Sequence, residues 1–380
     1  RDDVESRGLG DVYKRQTLVR YLYSFLKDEF IFDYFTMGKF VDDQVYKDIV
    51  SNGGVCFSAN LRKNKFIGHL VLPFRFYRVL KNNSYEIVHI HSEVAYKHFL
   101  YAVAARLAKV KKIVIHSHSS DIDGNNKGLK YIFHRLLRKS VNHLGTDFLA
   151  CSDVAAEWMF TQNTLSGEHF KLLHNGINPR KYIYSEEIRN DVRKNLHLQD
   201  KFVLGHVGAL KKVKNQIRLI EILNDINDDR YVLLLIGDGE DKDKLVNRVK
   251  QLNLEDKVFF LGNRTDVSEL LQAIDVFVFP SFFEGIPMAL IEAQTVGIPI
   301  IASDSINKDI KINENVYFVP LKASNTKWTQ MIKSCETLHI REQGYEMVSK
   351  SDYNIKNSAQ LLKAVYEAVS YTHLTLPTIA

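Results

Sequence analysis

The stretch Val276-Phe277-Val278-Phe279-Pro280-Ser281-Phe282-Phe283-Glu284-Gly285-Ile286-Pro287-Met288-Ala289-Leu290-Ile291-Glu292-Ala293 decides the reading of this chain. Its first four residues, all apolar, predict a strand that stops at Pro280. A loop carrying Glu284 follows. Pro287 suits the first turn of a helix, predicted over Met288 to Thr295. Such a helix aims unpaired N–H groups and its positive end back at the loop, which makes an anion site. In open parallel sheets ligands bind beyond the carboxyl ends of the strands, so Glu284 falls in that crevice. Glu292 then lies roughly two turns into the helix. Carboxylates accept strongly from hydroxyls. Two of them beside an anion site suit a sugar and a ribose joined by a diphosphate. A capping Glu and a buried, structurally paired Glu satisfy the same spacing, and spacing alone leaves both readings open.

Outward from this stretch, strands and helices alternate. Strands are predicted at Phe30 to Thr36, Val55 to Phe57, Ile87 to His91, Lys112 to Ile115 and Asp147 to Cys151. Helices are predicted at Thr17 to Lys27, Asp42 to Ser51, Phe66 to Asn82, Tyr96 to Ala108 and Leu129 to Val141. A turn-rich segment, Leu172-Leu173-His174-Asn175-Gly176-Ile177-Asn178-Pro179, closes this half. The alternation restarts with strands at Lys201 to Val207, Tyr231 to Ile236, Val258 to Leu261, Val276 to Phe279 and Pro299 to Ala302. Helices at Gln216 to Asn224, Asp241 to Leu252 and Val267 to Ala273 separate them. This is the pattern of βαβ units on parallel sheets. The chain is read as α/β, with two doubly wound Rossmann-like domains over residues 17–178 and 179–369. Residues 1–16 and 370–380 lack apolar periodicity, look foreign to the fold and are expected to carry no function.

The 380 residues hold 51 Lys+Arg against 45 Asp+Glu, 45% hydrophobic residues and 25% charged ones, which is ordinary for a soluble protein of about two domains. Cys56, Cys151 and Cys335 lie too far apart for a metal or disulfide framework. No stretch approaches the ~18 apolar residues of a membrane span. A cytoplasmic location is expected. Residues 1–180 carry 26 Lys+Arg and 18 Asp+Glu, whereas 181–380 carry 25 and 27. The basic half suits an anionic partner, although a solvated surface has the same balance.

The Glu284 to Glu292 stretch resembles the E-x7-E motif of retaining glycosyltransferases of family 4, which have the GT-B fold with two domains facing each other across a cleft. The resemblance runs from about Thr17 to Val369 and points to capsular or exopolysaccharide-type members. It implies that Glu284 holds the donor sugar and Glu292 the ribose. Gly285, Ile286, Pro287 and Met288 would line sugar and phosphate. The segment Gly205-His206-Val207-Gly208 through Lys214-Asn215 matches the family's phosphate loop, with Gly208 at the turn and Lys214 as the phosphate cation. Ala209 stands where the family usually has Arg, and Lys211 or Lys212 is the candidate substitute. Gly237-Asp238-Gly239 matches the turn near the nucleotide. Asn263 and Arg264 match the loop beside the base. No G-x-G-x-x-G opens a βαβ unit, which disfavours a dinucleotide oxidoreductase.

In the first half, Val114-Ile115-His116-Ser117-His118 places two histidines at a strand end. The resemblance assigns His118 to the donor sugar, with His116 second. His89 and His91 end the preceding strand and face either the acceptor or the core. No carboxylate or cysteine cluster completes a metal site here, so none is expected. Asp121-Ile122-Asp123 reads as a loop. Ser152 is a predicted helix cap. The family's first strand normally precedes the helix near Thr17, and foreign-looking sequence stands in its place. Basic residues interleave with apolar ones at Lys63 to Lys81 and at Tyr131 to Leu144. These helices suit peripheral contact with an anionic inner membrane face, and equally an ordinary buried face.

The expected activity is metal-independent, retaining transfer of a sugar from a nucleotide-sugar donor to a lipid-linked saccharide acceptor in surface polysaccharide synthesis. The donor is substrate rather than cofactor, and no nucleic acid is involved. A sugar-nucleotide epimerase of the same fold and a non-catalytic nucleotide-sugar-binding subunit are the alternatives.

Overall fold

A computed structural model describes residues 19, 22–36, 43–58, 65–118, 127–337, 341, 343–368 and 375–379. The chain divides between Gly176 and Ile177 and again between Asn354 and Ile355, so that a central unit is flanked in sequence by the two parts of the other. Residues 1–16, Thr17 and the Asp121–Asp123 segment lie outside the described residues.

The unit of residues 177–354 is built on a six-stranded parallel sheet. Its strands are β7 (Phe202–Val207), β8 (Tyr231–Ile236), β9 (Val258–Gly262), β10 (Val276–Phe279), β11 (Ile300–Ser303) and β12 (Val316–Val319), in the order β12-β11-β10-β7-β8-β9. β8 shows why a doubly wound sheet reads as an unbroken apolar run. Tyr231, Leu233 and Leu235 pack into one core, Val232, Leu234 and Ile236 into the core on the opposite face, and all six are buried. Fully burying one such side chain contributes roughly 1.5–3 kcal/mol. The strand order reverses between β7 and β10, which pair directly. That junction is where an open α/β sheet leaves a crevice.

The other unit holds β1 (Ile31–Thr36), β2 (Cys56–Ser58), β3 (Ile87–Ser92), β4 (Lys112–Ser117), β5 (Asp147–Ala150), β6 (Phe170–Leu172) and β13 (Thr375–Ile379), in the order β2-β1-β13-β3-β4-β5-β6. Every pair is parallel. Among the described residues the predicted alternation is present, with boundaries shifted by no more than three residues.

Two expectations are corrected here. The closing helix (Ile355–Glu367) belongs to the first unit, not to the domain predicted over 179–369. Its face of Ile355, Ala359, Leu362, Val365 and Tyr366 packs with Leu22, Phe30, Phe32, Ile87 and Val114. The buried ammonium of Lys112 donates to Val365 O near the helix end. Burying that apolar face against this core is what holds the helix in the first unit. Second, Thr375–Ile379 was expected outside the fold, yet it pairs with β1 on one side and β3 on the other. Those two strands offer open parallel edges, and unpaired edge N–H and C=O groups attract any extended segment. Short elements passed over in sequence are β6, which runs into the start of the predicted linker at Leu172, β12, and helices Glu186–Asn195, Asn325–Ser334 and Gly344–Lys350.

Candidate functional site

The loops that follow β7 and β10 meet at the reversal of strand order. After Val207 the chain turns at Gly208, whose N–H donates to Ile236 O at 2.9 Å. A 3-10 turn (Lys212–Lys214) leads to Asn215, which adopts the left-handed conformation at φ 57° and opens helix Gln216–Ile226. Asn215 Nδ2 donates to Pro280 O at 3.1 Å, and Phe282 N–H donates to Val213 O at 2.8 Å. These two bonds tie the loops together.

They also bring Lys214 Nζ to 2.7 Å from Glu284 Oε1, with the two side chains 18% and 12% exposed. The contact is an ion pair without good hydrogen-bond alignment, since Glu284 Oε1 is buried and lacks an aligned donor. Lys214 Nζ also sits 5.2 Å from the centre of the Phe279 ring. Below it, His206 is fully buried and stacks on Phe279 at 5.1 Å. His206 Nδ1 donates to Val278 O at 3.0 Å, which leaves Nε2 to accept from Gln216 Nε2 at 3.3 Å. Burial, with the Lys214 charge opposing a second cation, holds this imidazole down to about 3.

The E-x7-E segment places its second half in helix Met288–Val296. Pro287 stands at the cap position, one residue before the first turn predicted for it, with φ −77° and ψ 97° and no side-chain cap. Proline has no side-chain oxygen to offer, so no side chain caps the first turn; Leu290 N–H donates to Pro287 O at 2.9 Å, and the N–H groups of Met288 and Ala289 are the ones aimed at an anion. Gly285 is exposed, with open space where a Cβ would stand, and Ile286 and Met288 are half-buried. Glu292 is half-buried. Burial pushes its carboxyl up to about 7, opposed by a hydrogen bond from Tyr182. Tyr182 closes a 3-10 turn (Pro179–Tyr182) that Asn178 caps by accepting from Arg180 N–H. No sequence signal singles out Tyr182, because only the fold brings this segment to the helix.

The nucleotide-side loops are joined as well. Gly237 N–H donates to Gly262 O at 2.8 Å. A Cβ at Gly237 would lie 2.2 Å from Gly208 O, and its φ of +133° is one that only glycine adopts freely. Asn263 and Arg264 follow on the surface. Arg264 is bound to its own loop, donating to Asp266 at 2.7 and 2.5 Å. A base contact by Arg264 therefore competes with that pair. Lys211 is half-buried and Lys212 exposed, while Lys214 is the lysine paired with Glu284.

In the first unit His116 and His118 lie on one side of β4 and its C-terminal extension. Beside them on the same face are His89 and His91 of β3, because His91 pairs in register with His116. His91 Nδ1 and His118 Nε2 are 2.8 Å apart, and His89 Nε2 and His116 Nδ1 3.2 Å apart. His116 is fully buried and His118 half-buried. The expectation named no carboxylate or cysteine cluster beside His116, and the described residues bring histidines together there instead. His89, His91 and His116 present ring nitrogens within 4.8 Å of one another. Sequence spacing missed this because the partners stand 27 residues apart on neighbouring strands.

Comparison with known proteins fits this architecture. Residues 42–181 match the family model for Glycosyltransferase Family 4, and residues 187–328 match that for Glycosyl transferases group 1. EpsF of Bacillus subtilis (strain 168), which carries a glycosyltransferase name, is 30% identical over 239 residues, covering 61% of each chain. The UDP-Gal:alpha-D-GlcNAc-diphosphoundecaprenol alpha-1,3-galactosyltransferase of Escherichia coli is 30% identical over 234 residues, covering 60% of each. The chain thus spans about three fifths of the length of these curated relatives. HepE of Anabaena, solved in complex with UDP-glucose, is similar in fold at a TM-score of 0.69 and 19% identity, over 93% of this chain and 95% of that one. Two Rossmann-like domains of this kind define the GT-B class of glycosyltransferases. Within that class the first half of the chain matches the family 4 model and the second half the group 1 model, so the chain resembles glycosyltransferases of family 4.

Proposed function

We propose that the chain transfers a sugar from a nucleotide-sugar donor to a lipid-linked saccharide acceptor in the synthesis of a surface polysaccharide. We further propose that anomeric configuration is retained and that no metal ion is needed at the diphosphate. The observation that carries this reading is the Lys214–Glu284 pair at the β7/β10 junction. The transferase names of the curated relatives support transfer over the epimerase and binding-subunit readings, and the E. coli relative's name supports a lipid diphosphate acceptor.

In this scheme the donor diphosphate lies between Lys214 and the uncapped first turn of helix Met288–Val296. An incoming diphosphate gives Lys214 a stronger anion than Glu284, and frees the Glu284 carboxylate to accept from the sugar hydroxyls. As the nucleoside diphosphate departs, charge grows on the phosphate oxygens. Lys214 and the helix N–H groups are already placed to stabilise it, the electrostatic contribution that dominates most such reactions. The acceptor hydroxyl attacks from the face of departure and passes its proton to the leaving phosphate oxygen. Glu292, ionised, accepts from the ribose, and Gly208, Gly285, Ile286 and Met288 offer backbone to the ligand. By the family resemblance, His118 first and His116 second are the proposed further contacts to the sugar.

An anionic membrane is the proposed partner surface. Among the described residues no helix is long and apolar enough to cross a membrane. Helix Lys127–Leu144 nevertheless exposes Tyr131, Ile132, Phe133 and Leu136 beside Arg135 and Lys139, an arrangement that suits the headgroup boundary. Phe74, 72% exposed beside Arg75, adds to it from helix Lys65–Asn83. The side chains of Lys65, Phe66, Ile67 and Leu70, part of the same expectation, lie outside the described residues.

The test is a screen of UDP-, GDP- and ADP-sugars by thermal shift, followed by turnover with lipid-linked acceptors in the presence of EDTA. One donor is expected to raise the melting temperature by mass action and to be consumed with retained configuration. Binding without transfer to any acceptor, inversion, or an activity that EDTA abolishes and Mg²⁺ or Mn²⁺ restores contradicts the proposal.

A further inference from the structure

Four imidazoles on one face of a buried parallel sheet call for a physical reason. His89 and His91 alternate along β3, and His116 and His118 along β4 and just beyond it, so all four rings point to the same side. Ring centres of His89 and His91 are 4.0 Å apart, those of His116 and His118 4.0 Å, and those of His91 and His116 5.1 Å. His89, His91 and His116 are 1%, 5% and 0% exposed. Burying polar rings costs free energy unless each nitrogen is satisfied. They are not all satisfied: His116 Nε2 is buried without a hydrogen-bond partner. A core built only for packing would be better served by Leu or Phe here.

We propose that His89, His91 and His116 form a binding site for one divalent transition-metal ion of the zinc, cobalt, nickel or copper type, entered past His118. Two nitrogens bound to one ion at about 2.0–2.1 Å lie no more than about 4.2 Å apart, so these three, within 4.8 Å of one another, close on a single ion once the rings draw together by a few tenths of an ångström or more. An all-nitrogen donor set selects borderline transition metals over magnesium or calcium. The outer arrangement fits as well. Tyr366 Oη lies 2.7 Å from His89 Nδ1, so that a proton on Nδ1 fixes the tautomer and leaves Nε2 as the donor facing His116. His118, half-buried and 2.8 Å from His91, is the most exposed of the four rings. This inference does not depend on the sugar-transfer reading.

The full chain, stripped with a chelator and titrated with Co²⁺ near pH 7.5, tests it. One ion per chain is expected, with the visible absorption of low-coordinate cobalt, displaced by Zn²⁺. The ring-proton resonances of buried histidines should carry the paramagnetic shifts, which locates the ion in the wild-type chain without any variant. His91→Asn and His116→Asn, where they fold, should weaken binding at least ten-fold. Failure of the wild-type chain to take up Co²⁺ overturns the proposal. So do shifts confined to exposed rings such as His169 and His197, or an unchanged spectrum in a folded His91→Asn chain.

Discussion

Glu292 is held by Tyr182 in a half-buried setting that raises its carboxyl from an ordinary 4.5 to about 7. A raised carboxyl stabilises the folded chain only while protonated. That contribution is full below about pH 4.5 and is lost as pH rises through about 7. Glu292→Gln, permanently neutral, should therefore melt higher than wild type at pH 8, and the difference should vanish below pH 4.5 in calorimetric scans. If the ionised form grips the ribose, the same substitution weakens donor binding at pH 8, and wild-type affinity falls as pH drops below about 7. The two glutamates were legible in sequence because strand, proline and helix stand in one short stretch. Tyr182 was not, because its segment reads only as a linker. His89 and His91 were visible as strand-end residues, but their joining with His116 depends on sheet register, which local spacing does not encode.

The turns after β7, β8 and β9 act as one element, because Gly237 touches both Gly208 and Gly262. A Cβ at Gly237 would push into Gly208 O, and the backbone there is left-handed. Gly237→Ala should cost more than about 1 kcal/mol in chemical denaturation and weaken donor binding along with it. On helix Lys127–Leu144, Leu136 is 67% exposed, so Leu136→Glu should leave stability within about 0.5 kcal/mol. It should reduce co-sedimentation with anionic vesicles, and unchanged sedimentation would remove that helix from the membrane surface. Strands such as β8 were legible because burial on both faces leaves an unbroken apolar run. β6 and β12 were not, since none of the three residues of β6 and only two of the four of β12 are buried.

At the level of the whole molecule the chain leaves its first unit at Gly176 and returns to it at Ile355. Leu362, 2% exposed, anchors the returning helix in the first unit's core. Leu362→Ala should destabilise that unit by about 2–5 kcal/mol, while hydrogen exchange in residues 177–354 stays near wild type. Equal loss in both units would contradict the assignment. The periodicity of residues 355–367 shows a helix with one apolar face, but not which core receives it; that choice belongs to tertiary packing. The Lys214–Glu284 pair in the other unit supports the proposed chemistry most narrowly, and a kinetic comparison of Glu284→Gln with wild type probes it. The scheme predicts a fall in transfer rate on the order of 10²-fold with nucleoside diphosphate affinity kept, since Lys214 still meets the phosphate. A Glu284→Gln chain that transfers sugar at the wild-type rate would contradict it.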